Sequence, residues 1–201
     1  HHTCHGGYNR VEAGRYNSRG FGLGVVNRCI DWLDWMQPEA WNIEHNRLHH
    51  YRLNEDHDPD LVQNNVDFLR DGNLPLPLRY AQVALFMPIW KWFYYAPNTY
   101  KELKTNEWVK SGKELPKDFD PLAPVTVGTM FRRDAEAKSA REIVNPWELL
   151  FKVMGPMIFC RYVATASVLA LVPGVGSTLA AHAVVNFLLA DLMTSFHSFV
   201  T

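Results

Sequence analysis

Histidine is the residue type whose placement could do chemistry in this chain. Nine His occur among 201 residues, and five of them fall into two motifs with the same internal spacing. The first motif, HxxxH, places His1 four residues before His5, and the second, HxxxHH, places His45 four residues before the adjacent His49 and His50. On a helix, side chains four residues apart lie on one face, about one turn apart. Each pair is therefore predicted to bind one metal ion or two neighbouring ones.

The ligand type restricts the metal but does not name it. Imidazole binds zinc, copper, iron and nickel. An HExxH motif, in which a Glu between two His serves as the base of a zinc hydrolase, is absent, and the three Cys form no CxxC pair. His50 is predicted to point about 100° away from its neighbour on a helix, toward a second metal. The pattern favours a two-metal site with oxygen chemistry over hydrolytic zinc.

Further polar side chains lie close to the motifs in sequence. Carboxylates commonly orient the imidazoles that bind a metal, and the turn around Asp58-Pro59 follows the second motif. The residues near the motifs that could bind a metal or orient a ligand imidazole are His2, Glu44, Asp56, His57, Asp58 and Asp60. His197, far along the chain in the last apolar stretch, is a further candidate.

The polarity of the chain indicates which elements must position these residues. Charged residues concentrate before residue 145 and apolar ones after it. Residues 1–72 carry too many charges to span a bilayer and are predicted to form a cytoplasmic region that holds both motifs. Residues 100–146 contain nine Lys or Arg, which predicts a cytoplasmic loop by the positive-inside rule. Because Lys plus Arg (20) balances Asp plus Glu (21), no nucleic acid partner is expected.

Residues 78–97 are apolar and aromatic but contain Lys91 and Pro88. A central Lys is costly in hydrocarbon, whereas Trp and Tyr favour the headgroup level. The segment is therefore predicted to lie in the membrane interface, with the aromatic run 90–95 as its anchor, and not to cross the membrane.

Residues 147–200 are predicted to form a transmembrane hairpin. Two apolar stretches, each long enough to span a bilayer, are separated by Pro173-Gly174, which breaks the helix. Arg161 lies inside the first stretch and is expected to face protein or water. On the second, Asp191 points away from a stripe of polar and soft side chains that is expected to line the protein interior: His182, Asn186, Met193 and His197. The predicted fold is an all-α integral membrane domain whose cytoplasmic helices bear the histidine motifs.

The two motifs, in order and followed by this hairpin, resemble the first two histidine boxes of the integral membrane fatty acid desaturases. The interval from His5 to His45 is similar to that of the family. The flanking residues also resemble acyl-lipid and front-end desaturases: Gly6-Gly7-Tyr8-Asn9 after the first box, and Asp56-His57-Asp58-Pro59-Asp60 after the second. The resemblance is close over residues 1–60 and extends further only as a hydrophobic layout.

The resemblance implies an oxidoreductase that introduces a double bond into a fatty acyl lipid or thioester. An unactivated methylene has no acidic proton, so such chemistry needs a metal and dioxygen rather than side-chain acid or base catalysis. The resemblance implies two iron ions, cytochrome b5 or ferredoxin as the external electron donor, and a membrane of the endoplasmic reticulum or plastid with the boxes on the cytoplasmic or stromal side. The implied metal ligands are His1, His5, His45, His49 and His50.

The third box of the family, (H/Q)xxHH, does not occur in residues 1–201. The chain is therefore expected to be the central part of one desaturase domain, inactive by itself. Related di-iron hydroxylases and ketolases of lipids or carotenoids use the same boxes and stay open as alternatives. A non-catalytic membrane protein that binds zinc or copper structurally is the alternative from another class.

Overall fold

The computed structural model describes most of the chain: residues 2–11, 14–32, 34–53, 55–59, 61, 70 and 72–200. Within these ranges every regular element is helical, which confirms the predicted all-α fold class. The main helices are α1 (Val25–Ile30), α2 (Pro38–Ile43), α3 (Leu76–Phe86), α4 (Ala96–Lys110), α5 (Ala135–Ile143), α6 (Pro146–Ala170) and α7 (Gly176–Val200).

Wider and tighter helical turns interrupt or extend these helices. Turns with π-type hydrogen bonding cover Glu44–Leu48, Lys91–Tyr95 and, inside α6, Leu149–Met154 and Ile158–Ala164. Turns of 3-10 type cover His49–Tyr51, Met87–Ile89 and Gly128–Met130. The stretch 100–146, expected to be a loop, is thus helical at its beginning and near its end. Its placement on the cytoplasmic side stays a prediction.

The principal hydrophobic core lies where α4, α5 and the first half of α6 meet. Tyr100, Ile143 and Val153 are almost completely buried there. Trp35 and Ala40 join the same core from the histidine-bearing region. Burial of aromatic and branched side chains is the main favourable contribution to folding, so this core fixes the histidine-bearing region against the rest of the protein.

Helices α6 and α7 are each long and apolar enough to cross a membrane. Only 11% of the apolar window of each is buried inside the protein, whereas a core helix would be mostly covered. The chain turns between them at Gly174, whose φ of 80° is readily adopted only by glycine. The end of α6 packs against α7. That the pair forms a hairpin within a membrane stays a prediction.

The charged residue inside α6 has a partner within the protein. Arg161 donates a hydrogen bond to the Asp191 carboxylate on α7, and the Tyr162 hydroxyl donates to the other oxygen of that carboxylate at 2.7 Å. Asp191 is 1% exposed. Arg161 was expected to face protein or water, and the structure shows that it faces protein.

The expectation that the polar stripe of α7 lines the interior is wrong. The face that carries Asp191 and Ser195 is the buried one. An ionised carboxylate costs far more to expose to an apolar medium than a neutral amide or imidazole, and Arg161 gives it a partner. The four residues of the stripe are exposed: His182, Asn186, Met193 and His197.

A serine of α7 enters the helical segment that connects α3 to α4. The Lys91 backbone N–H donates to the Ser195 hydroxyl at 3.1 Å, and that hydroxyl donates to the Met87 carbonyl at 3.0 Å. In an α-helix these two backbone groups would bond directly, so the side chain is inserted into the hydrogen-bond ladder. Pro88 lies in the same turn and lacks an N–H.

The aromatic run 90–95 is packed partly inside the protein. Trp90 and Tyr94 are 4% and 2% exposed, and Trp90 contacts the Phe199 ring edge-on. Lys91 is buried and pairs with Asp34 at 2.9 Å. The expectation of an interfacial anchor is therefore wrong for Trp90 and Tyr94, because protein side chains cover them. Whether the rest of segment 78–97 lies in an interface stays a prediction.

Candidate metal centre

The second histidine motif lies at the end of α2. Pro38 occupies the first turn of α2, where a missing N–H costs nothing. The chain stays helical through the π-turn Glu44–Leu48 and the 3-10 turn His49–Tyr51, in agreement with the prediction of a helix at the second motif. A π-turn pairs residues five apart instead of four, so His45 and His50 come to the same side.

Three histidines from the two motifs converge. His5, His45 and His50 each offer a ring nitrogen, and these atoms all lie within 4.8 Å of one another. The Nε2 atoms of His5 and His50 are 3.4 Å apart. The ring centroids of His45 lie 5.2 Å from His5 and 4.7 Å from His50. One cation can therefore be reached by both motifs with small side-chain movements.

His49 has a different partner. Its ring stacks on His45 with centroids 5.2 Å apart and planes at 20°, so the two imidazoles lie on the same side, as predicted. Its Nδ1, however, lies 2.9 Å from the Asp58 Oδ1. The expectation that His50 points away from His45 is corrected, whereas the number of metals that His45 and His49 would share stays a prediction. His50 joins His5 and His45 because of the π-turn, and His49 turns toward the carboxylate.

Asp58 is the carboxylate that contacts a motif histidine. It is 6% exposed, so its charge is shielded from water and attracts an N–H donor. In metal sites, a carboxylate that accepts from Nδ1–H fixes the ring so that Nε2 is the metal-binding atom. The candidate role of Asp58 in orienting a ligand imidazole thus has a geometric basis.

Two histidines of the cluster, His45 and His5, have lowered pKa values, which favour the neutral form. Burial, reinforced by the neighbouring His50, His49 and His5, lowers the pKa of His45 to about 4. Burial and the nearby His50 also lower the pKa of His5. Neutral imidazole is the form that binds metals. At neutral pH these two ligands therefore need no deprotonation.

Two residues that sequence reasoning missed hold the cluster together. Trp41 stacks on His45, with ring centroids 4.5 Å apart and planes at 25°. Asn46 donates a hydrogen bond from Nδ2 to the Cys4 carbonyl at 3.1 Å, which ties the two motifs directly. The position of Trp41 four residues before His45 was a usable signal; the bond from Asn46 was not visible in the sequence.

The other candidates lie apart from the cluster or outside the described residues. Glu44 is buried, whereas His2, Asp56 and His57 are exposed. His197 is exposed on α7. Among the described residues, none of these possible metal-binding or orienting residues belongs to the His5–His45–His50 cluster. His1 and Asp60 lie outside the described residues.

No protein-family model, curated protein or solved structure matches this chain. The resemblance to desaturases therefore rests on the motifs themselves.

Proposed function

We propose that this chain is part of a membrane-bound, histidine-ligated di-iron oxidoreductase that desaturates a fatty acyl chain. The observation that carries the proposal is the convergence of His5, His45 and His50 within 4.8 Å, since the sequence places the first of them 40 positions before the second. Convergence of two separate motifs, both with metal-ligand spacing, is what a shared metal site requires.

The donor set fits iron. Imidazole nitrogens are suitable iron ligands, and the lowered pKa values of His45 and His5 keep these rings ready to bind. His5, His45 and His50 would hold one ion. His49, oriented by Asp58, would be available to a second ion together with His1. Bound iron would supply the reaction with dioxygen that removes two hydrogens from the acyl chain.

The protein's own residues would position and shield this chemistry. Trp41 covers one face of His45 and limits the access of water from that side. Asn46 fixes the backbone of the first motif against the second, which holds the ligands in place before a metal arrives. Pre-positioned ligands lower the reorganisation that binding requires.

Helices α6 and α7 support a membrane location and a lipid substrate. The long, exposed apolar surfaces of both helices would contact lipid. The core that packs on α6 would then lie close to the membrane, which contains the fatty acyl lipid or thioester substrate. Reduction of dioxygen needs four electrons and the substrate supplies two. An external donor, cytochrome b5 or ferredoxin, belongs to the proposal, as does a membrane of the endoplasmic reticulum or plastid.

The experiment that tests this function is expression of the longest reading frame that contains the chain in a desaturase-deficient yeast. A new double bond, detected in fatty acid methyl esters by mass spectrometry, is the expected result. His50→Ala should abolish it at unchanged protein level, while His57→Ala, at an exposed histidine outside the cluster, should not. A hydroxylated product would assign the related hydroxylase reaction. Product that persists in His50→Ala would overturn the proposal.

A structural zinc site is the second candidate, because three imidazoles that converge on one point are enough for one ion. Metal analysis of the purified chain separates the two. The desaturase proposal expects less than two iron ions per chain, since five box histidines provide too few ligands for two. Stoichiometric zinc, with no lipid product from the long reading frame, would favour the structural site.

A further inference from the structure

A cavity of about 370 Å³ lies between α1, the beginning of α2 and α6. Its volume is in the range of small-molecule sites. The walls include a charged recess, formed by Arg28, Gln37 and Glu39, and a rim formed by Val25, Phe151 and Lys152. None of these residues belongs to the histidine cluster, so the cavity is a separate place in the molecule.

Arg28 brings a buried positive charge into this cavity. It is 6% exposed, and within the described part of the chain its guanidinium donates only to backbone carbonyls, among them those of Trp35 at 3.2 Å and Val153 at 3.4 Å. Its Nε is buried and has no hydrogen-bond partner among the described residues. Carbonyls satisfy N–H groups but do not neutralise a charge, and the carboxylates that interact electrostatically with Arg28 are those of Glu39 and of Asp34, which already pairs with Lys91. Burial lowers the pKa of Arg28 to about 10, so it remains charged at neutral pH.

The remaining polar groups of the cavity have complementary properties. The Gln37 Oε1 is buried and, among the described residues, accepts no hydrogen bond. Lys152 lies at the rim and adds a second positive charge, which also pairs with the Glu148 carboxylate at 2.5 Å, whereas Glu39 adds a negative charge. A ligand with an anionic group beside a hydrogen-bond donor would satisfy both the Arg28 Nε and the Gln37 oxygen.

The rim of the cavity is apolar and faces outward. Val25 and Phe151 are 84% and 68% exposed. Phe151 and Lys152 belong to α6, one of the two helices apolar enough to cross a membrane. A charged recess that opens beside such a helix matches an amphiphile, whose apolar part would continue along the helix.

We propose that this cavity binds the head group of a membrane phospholipid, with the phosphate at Arg28 and Lys152 and the acyl chains along Val25 and Phe151. A head-group donor, such as the ammonium of phosphatidylethanolamine, would reach the Gln37 oxygen and the Glu39 carboxylate. The site goes beyond the proposed function and does not depend on iron.

The test measures lipid binding to the full chain, purified in detergent, by native mass spectrometry. Dioctanoyl phosphatidylethanolamine is expected to bind saturably at one molecule per chain, and dioctanoylglycerol, which lacks the phosphate, at least about tenfold more weakly. Equal binding of both would show that phosphate is not recognised and would overturn the proposal. Inorganic phosphate that displaces the lipid at equal concentration would make the cavity a free-anion site and also overturn it.

Two neighbouring exposed positions give matched variants. Val25→Glu places a negative charge at the rim and should weaken binding of the phospholipid about tenfold. Val26→Glu makes the same change at an exposed residue of α1 that does not line the cavity, and should bind like the unmodified chain. Equal affinity of the two variants would overturn the proposal. So would a loss of lipid binding in His45→Ala, because binding would then belong to the histidine site.

Discussion

The histidine cluster and the Arg161–Asp191 pair are both polar groups gathered from separate parts of the chain, but their members differ in what they can do for one another. Arg161 and Asp191 carry opposite charges and neutralise each other in a buried place. His5, His45 and His50 are all bases, so protonation of one disfavours protonation of the next. The pair is complete as it is, whereas the cluster gains most from an added cation.

This difference is the one expected between a polar pair that holds two helices together and a polar cluster that binds a metal. A buried ion pair whose partners are both present mainly holds α6 to α7, and removing one partner leaves a costly charge. A group of neutral bases at a partly exposed place costs the protein little and offers lone pairs to a metal. Disturbing the pair should therefore affect folding, and disturbing the cluster should affect metal binding.

The largest effect is expected from Asp191→Ala. Loss of the carboxylate leaves the Arg161 charge buried between α6 and α7, and removal of one partner of a buried pair typically costs about 3–5 kcal/mol. The free energy of unfolding in detergent measures this change. Asn186→Ala, at an exposed position of the same helix, should stay within about 0.5 kcal/mol. A cost for Asp191→Ala as small as that of the control would show that the pair does not hold the helices together.

His50→Ala should weaken metal binding strongly while leaving the fold stable. The variant removes one of the three converging ligands, and we expect a loss of more than about 100-fold in affinity, above the effect of residues that only orient ligands. Anaerobic titration with Fe²⁺ or Co²⁺ measures the affinity, and circular dichroism checks the helix content. His57→Ala is the matched control. Similar affinities for the two variants would contradict the assignment of the cluster as the metal site.

Asp58→Ala should have a smaller effect of the same kind. The carboxylate contacts the Nδ1 of His49 at 2.9 Å, and loss of a group that orients a ligand typically costs about 10–100-fold in metal affinity or activity. Asp58→Asn, which can still accept the hydrogen bond, should recover part of the loss. Asp56→Ala, two residues earlier and exposed, should bind metal normally. If both alanine variants behave alike, His49 does not depend on its carboxylate.

The smallest effect is expected from a cross-link that tests whether α1, in the histidine-bearing region, lies against α6. The thiols of Cys29 on α1 and Cys160 in α6 lie close enough to interact, although they are 131 positions apart in the sequence. Mild oxidation should join them within one chain, which a faster-migrating band on a non-reducing gel detects. Cys4→Ser should leave the cross-link in place, whereas Cys29→Ser should abolish it. No cross-link in the unmodified chain would separate the histidine-bearing region from α6.

Spacing rules predicted part of the candidate site correctly. The i, i+4 spacing of His45 and His49 places their rings on one side, because that relation depends only on local helix geometry. The joining of His50 to His5 could not be predicted, because it follows from a π-turn whose hydrogen-bond register leaves no mark in the residue types. The contact of Asp58 with His49 depends on the turn after the second motif, which propensity does not fix.

For the two long apolar helices, composition predicted the length and bounds of each helix better than it predicted which face is buried. The break at Pro173-Gly174 separates α6 from α7, as predicted. The buried face of α7 was assigned wrongly because the prediction followed the number of polar side chains, four against one Asp. The free-energy cost of desolvating a single carboxylate exceeds that of the neutral groups. The need of Arg161 for a partner was predictable; the identity of Asp191 as that partner required the three-dimensional contact.

The serine inserted between Met87 and Lys91 has a consequence for the order in which the chain is completed. Ser195 follows Lys91 by 104 residues, so ribosomes release the α3–α4 segment well before the hydroxyl that bridges its open turn. Until then the Met87 carbonyl and the Lys91 N–H can pair with each other or with water. The hydrogen bonding of this segment is therefore completed only when α7, which is synthesised much later, packs against it.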